Sequence, residues 1–89
     1  MTQQSVWGSN KKAIVDYVPR GKGLKLIWES DPKAERIMEM LRPLRDLATE
    51  ESIAFSFAGT KRRFYVLDIA SNNIREFQAQ VRALPDSLP

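Results

Sequence analysis

The apolar residues of this chain change their spacing from one segment to the next, and the order of these spacings limits the fold more than any other feature. Residues 12–18 (KAIVDYV) are rich in β-branched and aromatic side chains and stop at Pro19, which predicts a first strand. Residues 24–29 (LKLIWE) alternate and predict a second strand. Its two faces would carry Leu24, Leu26 and Trp28 on one side and Lys25, Ile27 and Glu29 on the other.

The next segment has the spacing of an amphipathic helix. Asp31 is expected as the N-cap and Pro32 as the first helical residue, where its missing N–H costs nothing. Pro43 interrupts this helix, but the apolar stripe keeps its register across it, which predicts a kink or two abutting helices. The stripe consists of Ile37, Met40, Leu41, Leu44, Leu47 and Ala48.

The second half of the chain repeats this order of spacings. Residues 53–58 (IAFSFA) alternate, and residues 61–69 (KRRFYVLDI) are apolar on both faces, which indicates an interior strand. Asn73 with Glu76 three residues later predicts a capping box and a second helix that ends at Pro85. In the alternating strand, Ile53, Phe55 and Phe57 are expected to face the core, and Ala54, Ser56 and Ala58 to face outward.

Together these elements predict an α+β fold. It would be a two-layer sandwich of order ββαββα, with a four-stranded antiparallel sheet and two helices on one of its faces. Residues 1–10 are expected to form a flexible arm, residues 11–86 a single domain and residues 87–89 a frayed end.

The absence of cysteine and histidine excludes several chemistries. Disulfides, thiolate nucleophiles, imidazole bases and the usual zinc ligands are all missing, so neither enzymatic activity nor a metal or cofactor is expected. No apolar stretch approaches the ~20 residues that span a bilayer, and residues 1–10 lack the profile of a signal peptide. We therefore expect a soluble, cytoplasmic protein without a membrane partner.

Positive charge is concentrated in the two predicted hairpins. Residues 1–28 hold five cations and one acid, and residues 52–67 hold three cations and no acid. If both hairpin loops lie at the same end of the sheet, their cations form one patch that could contact phosphates, with RNA favoured over DNA. The residues expected at this site are Arg20, Gly21, Lys22, Gly23, Lys25, Lys61, Arg62 and Arg63, with Tyr65 available for base stacking.

The segments VPRGKGLKLIWESDPKAERIMEML and SIAFSFAGTKRRFYVLDIASNNIREFQAQV resemble the eukaryotic translation initiation factor 1 family. In that family a basic, glycine-containing hairpin loop also leads into an apolar strand and a helix that begins at Asp. The resemblance implies binding to the small ribosomal subunit, with Arg20, Gly21, Lys22 and Gly23 in a loop that contacts ribosomal RNA.

A protein-interaction module is the alternative interpretation, as a homodimer, an adaptor or an inhibitor of a larger assembly. The small residues Ala54 and Ser56 would permit sheet packing or strand pairing with a partner. Trp7 could anchor that partner, because tryptophan is common at interaction hot spots.

Overall fold

A computed structural model describes residue 7 and residues 10–86 of the chain. These residues form three helices and one three-stranded antiparallel sheet with the strand order β1-β3-β2. The predicted four-stranded sheet with two helices is therefore wrong. The elements in chain order are α1 (Asn10–Asp16), β1 (Leu24–Glu29), α2 (Pro32–Leu41), a 3₁₀ turn (Arg42–Leu44), β2 (Thr49–Phe57), β3 (Thr60–Ile69), a 3₁₀ turn (Ser71–Asn73) and α3 (Ile74–Ala83).

The segment predicted as the first strand is instead helix α1, and contacts with the other end of the chain explain why. The side-chain amide of Gln78 donates to the carbonyl oxygens of Ile14 (3.0 Å) and Tyr17 (2.8 Å). The ammonium of Lys11 pairs with Asp86 at 3.0 Å, and Ile14 is buried. These tertiary contacts override the β propensity of a short segment.

Helix α2 begins as predicted, whereas α3 begins differently. Asp31 accepts a hydrogen bond from the backbone N–H of Ala34 at 2.7 Å, and α2 ends at Leu41 before the 3₁₀ turn that contains Pro43. The side chain of Asn73 makes no cap hydrogen bond. Glu76 instead accepts from Gln80, so the predicted capping box is wrong.

Strand β3 lies in the centre of the sheet, as its apolar character predicted. Residues 64–69 of β3 pair with β1, and residues 60–68 pair with β2. Residues 54–63 therefore extend past the end of β1 as a two-stranded hairpin arm. Its turn is Ala58-Gly59, with φ angles of 51° and 81°, the geometry that two-residue hairpin loops require.

Directly opposite residues of an antiparallel pair lie on the same face of the sheet, so the register defines two faces. The helix face carries Leu24, Leu67 and Ile69 into the core. The other face, here called the open face, has no helix packed on it in the part of the chain that the structure describes. It comprises Lys25, Ile27, Glu29, Thr49, Glu51, Ile53, Phe55, Phe57, Thr60, Arg62, Phe64, Val66 and Asp68.

The predicted faces of β1 are confirmed, but those of the alternating strand are wrong. Phe55 and Phe57 lie on the open face and not in the core, and Ala54 and Ser56 lie on the helix face. Ala58 is in the turn. The core is instead built from Trp7, Ile14, Leu24, Ile37, Met40, Leu41, Leu44, Leu67, Ile69, Ile74, Phe77 and Val81.

Trp7 belongs to this core although it falls in the predicted N-terminal arm. Its side chain has 0% exposure, and its indole N–H donates to the carbonyl oxygen of Pro85 at 3.1 Å. Residues 1–6 and 8–9 of that arm, and the predicted frayed end at residues 87–89, lie outside the described residues.

Candidate functional site

The glycine-containing basic loop joins α1 to β1 and does not connect two strands. Gly21 has a φ of 85°, and a Cβ on Gly23 would lie 2.7 Å from the carbonyl oxygen of Ile69. Both glycines therefore have structural reasons to be present: one adopts a backbone conformation that other residues disfavour, and the other lets two backbone segments approach closely.

The two groups of cations predicted to form one patch lie at opposite ends of the sheet. Leu24, which follows the basic loop, pairs with Ile69 at the end of β3, whereas Lys61, Arg62 and Arg63 are near its start. At roughly 3.4 Å per residue, the six steps from Arg63 to Ile69 span about 20 Å. This exceeds the ~8 Å screening length at physiological salt, so the predicted single patch does not form.

Arg62 is also neutralised by an acidic neighbour. Its guanidinium donates two hydrogen bonds of 2.8 Å to the two carboxylate oxygens of Glu29, and its Cζ lies 5.7 Å from the ring centroid of Phe64. The hydrogen bond from Arg62 lowers the pKa of Glu29 below its usual value, and the positive charge of Arg62 adds to this effect. Arg62 thus forms an ion pair on the open face with Glu29 of the neighbouring strand.

The remaining residues of the predicted phosphate site are divided between the two faces of the sheet. Lys25 lies on the open face, whereas Lys61 and Arg63 lie on the helix face of the hairpin arm. Tyr65 is half-buried on the helix face and lines a cavity of about 330 Å³ between α2 and the sheet. Tyr65 therefore does not lie on the open face beside Lys25, as expected, and its stacking on bases stays a prediction.

The open face exposes a row of large apolar side chains. Ile27 is 59% exposed, Phe55 is 55% exposed and Phe57 is 75% exposed. Phe55 packs edge-on against Phe64, with ring centroids 5.7 Å apart and an interplanar angle of 71°. Apolar side chains that are scattered singly over a surface are ordinary, but a contiguous group on one sheet face indicates an interaction surface.

The charged groups among these side chains do not favour a polyanion. Two cations, Lys25 and Arg62, share the open face with three carboxylates, those of Glu29, Glu51 and Asp68, for a net charge of −1. Lys25 lies directly opposite Asp68. The open face thus combines aromatic side chains with a nearly balanced, slightly acidic charge.

The residues predicted to bind a protein partner do not form one surface. Trp7 cannot anchor a partner, because its side chain is fully buried within its own chain. Ala54 and Ser56 are exposed, but they lie on the helix face opposite Arg63 and Lys61. The small residues are therefore separated by the thickness of the sheet from Phe55 and Phe57.

The described residues contain no group of three His, Cys, Asp or Glu side chains that could hold a metal ion. Within residue 7 and residues 10–86, the longest helices have ten residues, and none could cross a bilayer.

Sequence reasoning missed Ile27, Phe55 and Phe57 as surface residues. Alternation shows which side chains of a strand share a face, but it does not show which face the helices cover. One signal was present: β3 is apolar on both faces. When such a strand lies at the centre of a sheet that helices cover on one face only, its apolar side chains on the other face stay uncovered.

Comparisons with known proteins add no relative. No family model matches the chain, and no curated protein or solved structure matches it significantly. The resemblance to the initiation factor family stays a prediction.

Proposed function

We propose that this protein is a non-enzymatic protein-interaction module whose binding surface is the open face of its sheet. The observation that carries the proposal is the exposure of Ile27, Phe55 and Phe57 on one face that no described helix covers, with the half-buried apolar side chains of Ile53 and Phe64 lying between them. Aromatic and aliphatic side chains of this size are typical of the centres of protein interfaces, where charged residues are depleted. A cytoplasmic location is part of the proposal.

A protein partner fits this surface better than RNA. Single-stranded RNA needs aromatic side chains for stacking next to cations that contact its phosphates. Here Phe55 and Phe57 lie on the open face, whereas Lys61 and Arg63, which have no ion-pair partner among the described residues, lie on the helix face. The ribosomal role that the family resemblance implies is the competing proposal, and it predicts salt-sensitive binding of RNA.

Photo-crosslinking from defined positions distinguishes these proposals. A benzoylphenylalanine placed at position 57, or separately at position 27, would be activated in cells that normally make the protein, and the adducts would be identified by mass. We expect protein adducts from both positions. Ala79 is the matched control, because it is exposed on α3 away from the sheet, and it should give none of these adducts.

Titration of a single-stranded RNA provides the second arm of the test. We expect weak binding with a shallow dependence on salt, because the cations are dispersed over both ends and both faces of the sheet. Tight binding that weakens steeply, by about a thousandfold or more between 50 and 200 mM salt, would overturn the proposal. Nucleic-acid adducts at position 57, or equal protein adducts at position 79, would also contradict it.

A further inference from the structure

We propose that this chain also binds a second copy of itself, and that the two copies join by antiparallel pairing of their β2 strands around Ile53. This inference goes beyond the proposed function, because the dimer would leave the open faces of both copies uncovered. It adds a contact at the edge of the sheet to the open face described above.

Strand β2 is an edge strand without the usual protection. It has nine residues, from Thr49 to Phe57, and pairs with β3 in one continuous register without a bulge. It contains neither proline nor lysine, and every residue except Ile53 is exposed. Edge strands usually avoid pairing with other chains by being short, bulged or broken by proline or lysine. Apart from the charges of Glu50 and Glu51 at its start, β2 lacks these devices and presents a row of backbone donors and acceptors to a partner.

The other edge of the sheet is different. Strand β1 has only six residues, carries Lys25 and Glu29, and lies beside α1, with which it lines a cavity of about 200 Å³. A short, charged edge with a helix next to it is a poorer template for strand addition. The choice between the two edges therefore favours β2.

The register of the proposed pairing follows from the length and the charges of β2. Pairing all nine residues with a second β2 in the antiparallel sense places Ile53 opposite Ile53 and Glu50 opposite Ser56 of the other copy. Within one chain, Ser56 lies opposite Lys61 and Ala54 opposite Arg63. One continuous row on the helix face would therefore run from Lys61 through Ser56 to Glu50 of the second copy.

This row brings opposite charges together. Two strand spacings, about 10 Å, separate Lys61 from Glu50 of the second copy, and the small side chain of Ser56 lets the long lysine and glutamate side chains lean towards each other. Arg63 lies in the neighbouring row over Ala54. None of Glu50, Lys61 and Arg63 has an ion-pair partner among the described residues. In the dimer, Lys61 and Arg63 near the turn of one copy would lie close to Glu50 at the start of β2 in the other copy. The two-fold symmetry repeats this contact, so it forms twice in each dimer.

The resulting dimer would have one six-stranded sheet. The open faces of both copies would lie on the same side, and the two Ile53 side chains would meet at the centre. The exposed aromatic side chains of each hairpin arm, Phe55 and Phe57, would then flank residues 49–51 of the other copy. The sequence analysis assigned the small residues Ala54 and Ser56 to a partner contact. In the dimer their short side chains would leave room for the charged side chains of the two copies to approach each other.

Sedimentation velocity of the full chain, in a dilution series through the micromolar range, tests the dimer directly. We expect a reversible species with twice the chain mass of 10.2 kDa. Amide hydrogen exchange should slow as the concentration rises at alternate positions within residues 50–56, those whose N–H groups point away from β3, because these groups become paired in the dimer. A chain that stays monomeric throughout the series, with exchange in β2 that does not depend on concentration, would overturn the inference.

Charge reversal tests the register. Glu50→Lys alone, and Lys61→Glu with Arg63→Glu, each place like charges at both ion-pair rows of a homodimer, and we expect the dissociation constant to rise about tenfold in each. Mixing the two variants pairs opposite charges at both rows, so the mixture should return to within about threefold of the wild-type constant. Lys25→Glu on β1 is the matched control and should leave the dissociation constant unchanged.

The mixture separates the edge contact from other forms of association. If the wild type dimerises but the mixed variants do not recover, pairing through β2 in this register is refuted. If the chain is monomeric but position 57 still crosslinks to another protein, this inference fails while the proposed function stands. If positions 27 and 57 give no adduct with any protein other than a second copy of this chain while the mixed variants do recover, the edge dimer stands and the open face loses its proposed role.

Discussion

Replacement of Trp7 tests whether the two ends of the described chain close the core together. Trp7 is fully buried, and its indole N–H donates to the carbonyl oxygen of Pro85 at 3.1 Å. Removing a buried tryptophan side chain leaves a cavity as well as lost apolar contact and costs about 3–5 kcal/mol. A chain of 89 residues is expected to have roughly 4–13 kcal/mol of unfolding free energy at about 0.05–0.15 kcal/mol per residue. Trp7→Ala should therefore remove roughly a quarter of the stability or more.

Urea unfolding followed by far-ultraviolet circular dichroism measures this loss. Trp7→Phe keeps much of the apolar volume but removes the indole donor, so it should cost about 1–2 kcal/mol, most of it from the hydrogen bond and the smaller ring. Trp28 is the natural control, because it is only half-buried, and Trp28→Ala should cost less than Trp7→Ala. The reasoning is refuted if Trp7→Ala lowers the unfolding free energy by less than about 1 kcal/mol, which is the size of an ordinary surface effect.

Three further substitutions test local features. Gly23→Ala would place a Cβ 2.7 Å from the carbonyl oxygen of Ile69, and we expect a loss of about 2 kcal/mol in urea unfolding because backbone must move. Ala58→Asn should raise the thermal midpoint and stabilise by about 1 kcal/mol, because Ala58 has a φ of 51° in a two-residue turn that favours Asn-Gly. Arg62→Gln removes the hydrogen bonds that lower the pKa of Glu29, so the carboxyl should titrate at higher pH in a nuclear magnetic resonance experiment. A lowered pKa stabilises the fold above the unfolded-state pKa, and this contribution is lost as the pH falls through the folded-state pKa.

Each of these substitutions has a matched comparison. Gly21→Ala meets open space and suffers only from its φ of 85°, so it should cost less than Gly23→Ala; equal losses would argue against the close approach. Gly59 also has a positive φ, so Gly59→Ala should destabilise the turn that Ala58→Asn stabilises. Arg63→Gln should leave the titration of Glu29 unchanged, and a Glu29 pKa that stays low in Arg62→Gln would contradict the role of the ion pair.

Several elements were predictable because their signals are local. Asp31 and Pro32 define the start of α2 through hydrogen bonding and backbone geometry within one turn. The alternation in β1 correctly grouped Leu24, Leu26 and Trp28, and the apolar character of β3 correctly placed it in the middle of the sheet. In each case the residues that decide the outcome lie within a few positions of one another.

The candidate site was less predictable, because it depends on the position of each strand relative to the helices. The alternation of Ile53, Phe55 and Phe57 was recognised, but their side was assigned wrongly, since a two-fold period has no preferred direction. The grouping of Arg20 and Lys22 with Lys61 failed for a related reason. It assumed that both loops lie at the same end of the sheet, but the antiparallel pairing of β1 with β3 puts the basic loop at the far end of β3.

Features set by neighbouring residues could be read from the amino-acid sequence: the start of α2, the strands β1 and β3, and the absence of cysteine and histidine. The helical conformation of residues 10–16 depends instead on the tertiary structure, because Lys11 contacts residues 84 and 86 and Ile14 contacts residue 78. The tertiary structure likewise decided which face of the sheet stays open. The physical reason is that the helices can bury only one of two apolar faces, and which one they bury depends on contacts between residues that are distant in the chain.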